Sequence, residues 1–251
     1  MTAFFEYEAP NNLLTDHVIL VTGAGDGIGR AAATAYAQFG ATVILLGKTV
    51  EKLEKTYDNI MQAGFEQPII YPLNLLNLTT DECDTLADAI ETEFGKLNGI
   101  LHNAGLLGQQ TSIEKYDADT WQQVFQVNVH APFMLTQSLL PLMEKTDNAS
   151  IIFTSSGVVR RGRAYWGAYS ASKAASDNLM QILSEELMNT THIRVNAINP
   201  GGTRTAMRAL AYPGENPNAN PEPKEIMPAY LYLMGKESSS ITGQTLQAQT
   251  K

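Results

Sequence analysis

The fold turns on the stretch His17-Val-Ile-Leu-Val-Thr22-Gly-Ala-Gly-Asp-Gly-Ile-Gly29. Its first half is a short, β-branched, almost wholly apolar run. Such a run suits a strand buried on both faces, and hence a parallel sheet. Its second half sets Gly23, Gly27 and Gly29 in a G-x-x-x-G-x-G spacing ahead of a helical pattern over roughly 28–39. Glycines after a strand let the backbone turn tightly and approach a pyrophosphate, which then lies at the positive end of a helix.

The same alternation continues along the chain. Apolar runs at 41–46, 68–73, 99–102, 150–154 and 193–198 predict further strands, and Thr245-Leu-Gln-Ala predicts a short last one. Helical patterns lie between them at roughly 50–63, 81–95, 118–144, 168–189 and 224–235. Strand and helix in alternation imply right-handed crossovers and a doubly wound α/β sheet of about seven strands with helices on both faces. No repeat or linker divides the chain, so residues 1–251 are expected to form one domain, with an N-terminal extension over 1–14. The longest irregular stretch carries Pro213, Gly214, Pro217, Pro221 and Pro223; with the residues before it, about 206–223 reads as a lid loop over a site.

Composition narrows the function. A net charge of −9 argues against a general nucleic-acid or membrane-surface binder. No apolar run is long enough to span a membrane. The four histidines are scattered without metal-ligand spacing, so no metal site is expected. One cysteine, Cys83, allows no internal disulfide, and the N-terminus lacks the basic-then-apolar pattern of a signal peptide. A reducing, cytoplasmic setting is expected.

A second motif carries chemistry. Tyr169 and Lys173 are four apart in a helical stretch and so share a face. A free phenol titrates near ~10 and is a poor acid or base at neutral pH. A neighbouring ammonium would favour the phenolate, making the pair a tuned general acid/base.

Together these features resemble the short-chain dehydrogenase/reductase family over nearly the whole chain. The T-G-x-x-x-G-x-G element stands at 22–29 and Asn103-Ala104-Gly105 supplies an N-A-G element. Asn128 lies on the long helix before the reacting pair. Ser156 precedes Tyr169 by thirteen residues, and a P-G-x-x-x-T element runs from Pro200-Gly201 to Thr205. More narrowly, the runs Leu-His-Asn-Ala-Gly-Leu-Leu-Gly and Asn-Pro-Gly-Gly-Thr-Arg-Thr-Ala-Met resemble the bacterial YciK-type oxidoreductases.

The resemblance implies an NAD(P)-dependent oxidoreductase that moves a hydride between a nicotinamide cofactor and a carbonyl/alcohol substrate. It gives Tyr169 the proton transfer. Lys173 would lower the Tyr169 pKa and hold the ribose hydroxyls, Ser156 would orient the reacting oxygen, and Asn128 would hold a proton-passing water. Cofactor contacts are expected at Gly23, Asp26, Gly27, Ile28, Gly29, Lys48, Asn74, Leu75, Asn103, Ala104, Gly105, Tyr169, Lys173, Pro200, Gly201, Thr203 and Thr205. The competing reading is a catalytically idle NADP-binding sensor or scaffold; loss of Tyr169 or Lys173 would have favoured it, and both are present.

Two positions depart from the family pattern. Asn74 stands where a carboxylate often meets the adenine amino group, and its amide oxygen can still accept that bond. Gly47-Lys48 replaces the acidic residue that an NAD enzyme presents to the ribose 2′-hydroxyl. Lys48, with Arg30 as a second candidate, therefore points to NADP(H) over NAD(H), although Asp26 pushes the other way. The helices at 118–144 and 168–189 are apolar over more than one stripe, which predicts a homotetramer or homodimer. Arg160, Arg161, Arg163, Arg204 and Arg208 near the substrate side suggest an anionic group on the substrate.

Overall fold

The computed structural model describes residues 3–250. A seven-stranded, all-parallel sheet forms the centre, in the order β4-β3-β2-β5-β6-β7-β8. Its strands are β2 (Val18–Thr22), β3 (Thr42–Gly47), β4 (Ile69–Pro72), β5 (Gly99–His102), β6 (Ala149–Thr154), β7 (Ile193–Asn199) and β8 (Thr245–Gln247). The helices are α1 (Gly27–Gln38), α2 (Val50–Gln62), α3 (Thr80–Phe94), α4 (Ala118–Phe125), α5 (Ala131–Met143), α6 (Gly167–Leu187), α7 (Ala206–Ala211) and α8 (Met227–Met234).

The first strand of the sheet shows why its run is apolar throughout. Ile19 and Val21 join the core that includes α1 and α8, whereas Val18 and Leu20 join the core on the other face with α3, α5 and α6. Successive side chains of a strand point to opposite faces, so a sheet covered on both sides needs apolar residues at every position. The N-terminal extension is tied down by a two-residue antiparallel pairing of β1 (Ala3–Phe4) with β9 (Gln249–Thr250).

The strand order reverses between β2 and β5, and ligand clefts of such sheets open at the carboxyl ends of the strands beside that reversal. Here that place is a cleft of about 1170 Å³.

Two stretches differ from the sequence expectation. The single helix expected over 118–144 holds a π-helical turn at Gln126–His130, where the Ala131 N–H reaches back to the Gln126 carbonyl. Pro132 has no N–H, so the Asn128 carbonyl loses its ordinary i+4 donor; the Ser176 hydroxyl from α6 donates to it instead, at 2.6 Å. The region expected as an irregular loop over 206–223 begins with α7 and holds a 3-10 turn at Pro217–Ala219.

Candidate active site

The cleft floor begins at the glycine turn. Gly23 has φ +67, and a Cβ there would lie 3.0 Å from the Ala104 Cα. A Cβ at Gly29 would overlap the Gly23 carbonyl, so helix, turn and strand can pack this closely only without side chains. Gly23, Gly27 and Ile28 line the cleft; Gly29, expected to touch a cofactor, sits behind the lining and serves this close packing. Thr22 ties the turn to the neighbouring strand end, its hydroxyl accepting from the Asn103 and Ala104 amides at 3.0 and 3.1 Å. Asn103 also donates to the Thr22 carbonyl at 3.2 Å. The result is a backbone cradle at the start of α1 that a dinucleotide phosphate fits.

The charges around this cradle are partly committed. Asp26 accepts from the Gly27 amide at 2.8 Å and pairs with Lys52 at 2.7 Å. Lys52, then Gly27, hold its carboxyl below the usual range. Lys52 escaped the sequence reading; a lysine one turn into the helix after β3 was the signal. Arg30, the second phosphate candidate, is turned away. It donates to the Gly25 carbonyl and to the Thr56 hydroxyl, and it does not line the cleft. Lys48 is exposed at the end of β3 and lines the cleft.

Asn74 and Leu75 line the adjoining wall. The Asn74 amide oxygen accepts from the Leu76 amide at 3.2 Å, capping a 3-10 turn, which leaves one of its two lone pairs for another donor. Ala104 and Gly105 continue the floor. A Cβ at Gly105 would meet Asn128 Oδ1 at 3.4 Å and Lys173 Nζ at 3.8 Å.

The reacting end lies on α6. Tyr169 and Lys173 both line the cleft. Burial raises the Tyr169 phenol above its usual range, the neighbouring Ser156 hydroxyl offsets this in part, and Tyr212 pushes it further up. Lys173 is buried, its ammonium donates to the Thr154 carbonyl at 2.7 Å, and burial lowers it to about 8. The structure also separates the two serines. Both line the cleft, but Ser155 is buried with its hydroxyl donated to Asp177 at 2.7 Å, whereas Ser156 is half-buried.

Asn128 does not line the cleft. Its side-chain oxygen accepts from the Leu106 amide at 2.8 Å, and its NH2 donates to the Leu106 carbonyl and the Ser172 hydroxyl at 3.0 and 2.9 Å. The side chain thus clamps the Gly105–Leu106 backbone. Behind it His102 is buried and bonded to Thr136 at 2.8 Å, and burial pushes its imidazole down to about 3.

Pro200, Gly201, Thr203 and Thr205 close the far side. The Thr205 hydroxyl accepts from the Arg208 amide at 3.1 Å and so caps α7. Thr203 is buried, bonded to the Pro200 carbonyl. Gln249 reaches in from β9 and donates to the Pro200 and Gly202 carbonyls at 2.6 and 3.0 Å. Nothing in the local sequence marks Gln249; the β7–β8 pairing, continued by the Ala248 amide on the Asn199 carbonyl, brings it there. Over this side lies a chain of contacts: Tyr169 to Trp166 (ring centroids 5.9 Å), Trp166 to Tyr212 (5.6 Å), and Arg208 over the Tyr212 ring (3.8 Å). Arg208 grips Glu215 through two bonds of 2.6 Å, and Arg204 pairs with Glu222. These two arginines are bound within their own segment, against the expectation that they await a substrate anion. Arg160 and Arg163 line the cleft and Arg161 does not.

The family profile for short chain dehydrogenase matches residues 17–216. This chain belongs to that family. It is 52% identical over 243 residues to the "Uncharacterized oxidoreductase YciK" of Escherichia coli (strain K12), covering 97% of this chain and 96% of that one. A crystal structure of a short chain dehydrogenase from Salmonella enterica serovar Typhi superposes with a TM-score of 0.94 at 52% identity, covering 97% and 100% of the two chains. A structure from Escherichia coli CFT073, classed as a short chain dehydrogenase and complexed with NADPH, gives 0.93 at 52% identity over 96% and 100%. The protein is an oxidoreductase that uses a nicotinamide cofactor on a carbonyl/alcohol substrate, and this stands over the catalytically idle reading. Among the described residues no helix is long and apolar enough to cross a membrane, and no group of three or more His, Cys, Asp or Glu is placed to hold a metal ion.

Proposed function

We propose that the protein is an NADP(H)-preferring reductase or dehydrogenase whose proton-transfer residue is Tyr169. The observation that carries the residue assignment is that Tyr169 and Ser156 line one cleft beside the buried Lys173. Gly23, Gly27, Lys48, Ala104 and Thr203 would hold the dinucleotide, which supplies the hydride when bound. Ser156 orients the substrate oxygen. Tyr169 gives that oxygen a proton on reduction and takes one on oxidation. Lys173, charged below about pH 8, keeps a positive field on the reacting end. A phenol held above its usual range stays protonated at neutral pH, which suits the acid of a carbonyl reduction.

The NADP preference rests on the end of β3. Gly47 presents no carboxylate and Lys48 is exposed into the cleft, while Lys52 answers the charge of Asp26. The NADPH complex of the Escherichia coli relative supports the same reading. Titrations of NADPH and NADH by fluorescence test it. NADPH is expected to bind at least tenfold tighter, consistent with ~1.4 kcal/mol from one phosphate–lysine contact. Equal affinity, or a Lys48→Ala variant that leaves the difference intact, would defeat it.

The segment 206–223 is read as a lid over the substrate end, and 1–14 as an extension that anchors β9. Self-association is proposed through α4, α5 and α6, where Phe133 is 47% and Ile182 49% exposed. A single buried, free thiol at Cys83 agrees with a reducing cytoplasm. Sedimentation at micromolar concentration is expected to give a tetramer or dimer, and a monomer would end that part of the proposal.

A further inference from the structure

Two consecutive residues at the end of β6 are held by one stripe of α6, and a third lies beside it. The Thr154 carbonyl accepts from Lys173 at 2.7 Å, the Ser155 hydroxyl donates to Asp177 Oδ2 at 2.7 Å, and Ser156 lines the cleft with Tyr169. Tyr169, Lys173 and Asp177 are spaced four apart, so they stand one above another on the helix. The proposed reaction uses the first two and leaves the third without a task. Yet Asp177 is half-buried, and its Oδ1 is buried with no hydrogen bond among the described residues. A carboxylate so placed is costly unless a positive charge answers it.

The surroundings leave one candidate for that charge. Lys173 faces Asp177 and Tyr169 on its own helix. From β5 it faces His102, which burial keeps neutral; from β6, the uncharged Thr154 carbonyl; from the π turn, the uncharged Asn128. Burial pushes the Asp177 carboxyl above its usual range, and its bond with Ser155 and then the charge of Lys173, one helical turn away, offset this in part; Asp177 in turn favours the charged Lys173.

We infer that Asp177 is a positioning residue of the reaction. Its bond to Ser155 fixes the strand end from which Ser156 projects, and its charge keeps the Lys173 ammonium charged in a buried site. The inference rests on the reading of Ser156, Tyr169 and Lys173 given above.

Two variants of the full chain separate the two actions. Asp177→Asn keeps an acceptor for Ser155 and removes the charge; Ser155→Ala removes the bond and keeps the charge. Lysines labelled with 13C at Cε, with the Lys173 signal assigned by its loss in Lys173→Arg, report the titration directly and need no substrate. The Lys173 midpoint is expected to fall by about one pH unit in Asp177→Asn and to hold in Ser155→Ala. In turnover, Ser155→Ala is expected to lower kcat roughly tenfold with KM within about twofold, because the reacting oxygen loses its alignment. An unchanged Lys173 midpoint in Asp177→Asn, or wild-type kcat in Ser155→Ala, overturns the inference. If Asp177→Asn does not fold by circular dichroism, the kcat of Ser155→Ala decides. Normal turnover by Tyr169→Phe would instead sink the underlying reading, whatever the lysine titration gives.

Discussion

Around Tyr169 the side chains are fixed by bonds shielded from water, whereas the segment 204–222 that covers them is fixed by ion pairs that water reaches. Lys173, Ser155, Ser172 and Ser176 are all buried, and each is bonded across an element boundary or within α6. Breaking one such bond leaves a buried polar group unpaired, at ~1–3 kcal/mol each. Arg208 and Glu215 are still 28% and 30% exposed, and Arg204 and Glu222 more so. Exposed pairs are typically worth about 0–1 kcal/mol and weaken with salt. The reacting end is thus built to hold its geometry, and its cover to open at low cost.

The largest effect that this contrast predicts comes from the rigid side. Tyr169→Phe removes the proton donor without disturbing the packing. Turnover is expected to fall by about 10² to 10⁴ while NADPH affinity stays within about twofold. Near-normal turnover would remove Tyr169 from the chemistry.

The next effect is on stability. Lys173 titrates at about 8 in the fold against 10.5 as an ordinary lysine. Below pH 8 both folded and unfolded chains hold the proton, so the fold carries the full cost of a buried ammonium. Between pH 8 and 10.5 the folded chain sheds it first, and that cost fades as pH rises. Lys173→Met is expected to raise unfolding free energy by at most about 1 kcal/mol at pH 7. Each tenfold loss of proton affinity on folding costs about 1.36 kcal/mol, and the lost Thr154 bond together with the Asp177 carboxylate left unanswered offsets most of the gain. The gain should shrink toward pH 10 in urea titrations; a constant gain across that range would point to packing instead of charge.

The cover gives the smallest change. Glu215→Gln breaks the clasp on Arg208, and KM is expected to rise roughly two- to fivefold with kcat nearly unchanged. Raised salt should mimic it in the wild type. Acid should not, because Arg208 and then Asn220 hold the Glu215 carboxyl down to about 2. Its contribution is present above the ordinary carboxylate range and is lost only as pH falls toward 2. A KM that climbs already between pH 6 and 5 would contradict the clasp.

Much of the rigid side was legible in the sequence, and little of the cover was. The runs His17–Thr22, Ala41–Leu46 and Ser150–Thr154 announce a sheet buried on both faces, because they are short, β-branched and apolar at successive positions. The glycine turn is legible because it demands absent side chains. Tyr169 and Lys173 are legible through helical spacing, and the same spacing carried one turn further would have found Asp177. Direction was harder to read. That Asn128 turns its amide onto Leu106, that Arg30 returns to Gly25, and that Lys173 turns to Thr154 depend on how the folded backbone aims each side chain. The arginines of the cover looked like anion receptors because local sequence shows charge and not its partner; Glu215 and Glu222 already hold them. Gln249 is the extreme case, placed at the Pro200 turn from nearly fifty residues away.

Hydride transfer itself is the claim to test most directly. NADPH carrying deuterium at both C4 positions of the nicotinamide would be incubated with a panel of carbonyl compounds, and the alcohols analysed by mass spectrometry. With at least one compound the wild-type protein is expected to deliver the label to the carbinol carbon, and Tyr169→Phe to deliver almost none in the same time. Label that stays on the dinucleotide across the whole panel, or equal transfer by both proteins, would contradict it.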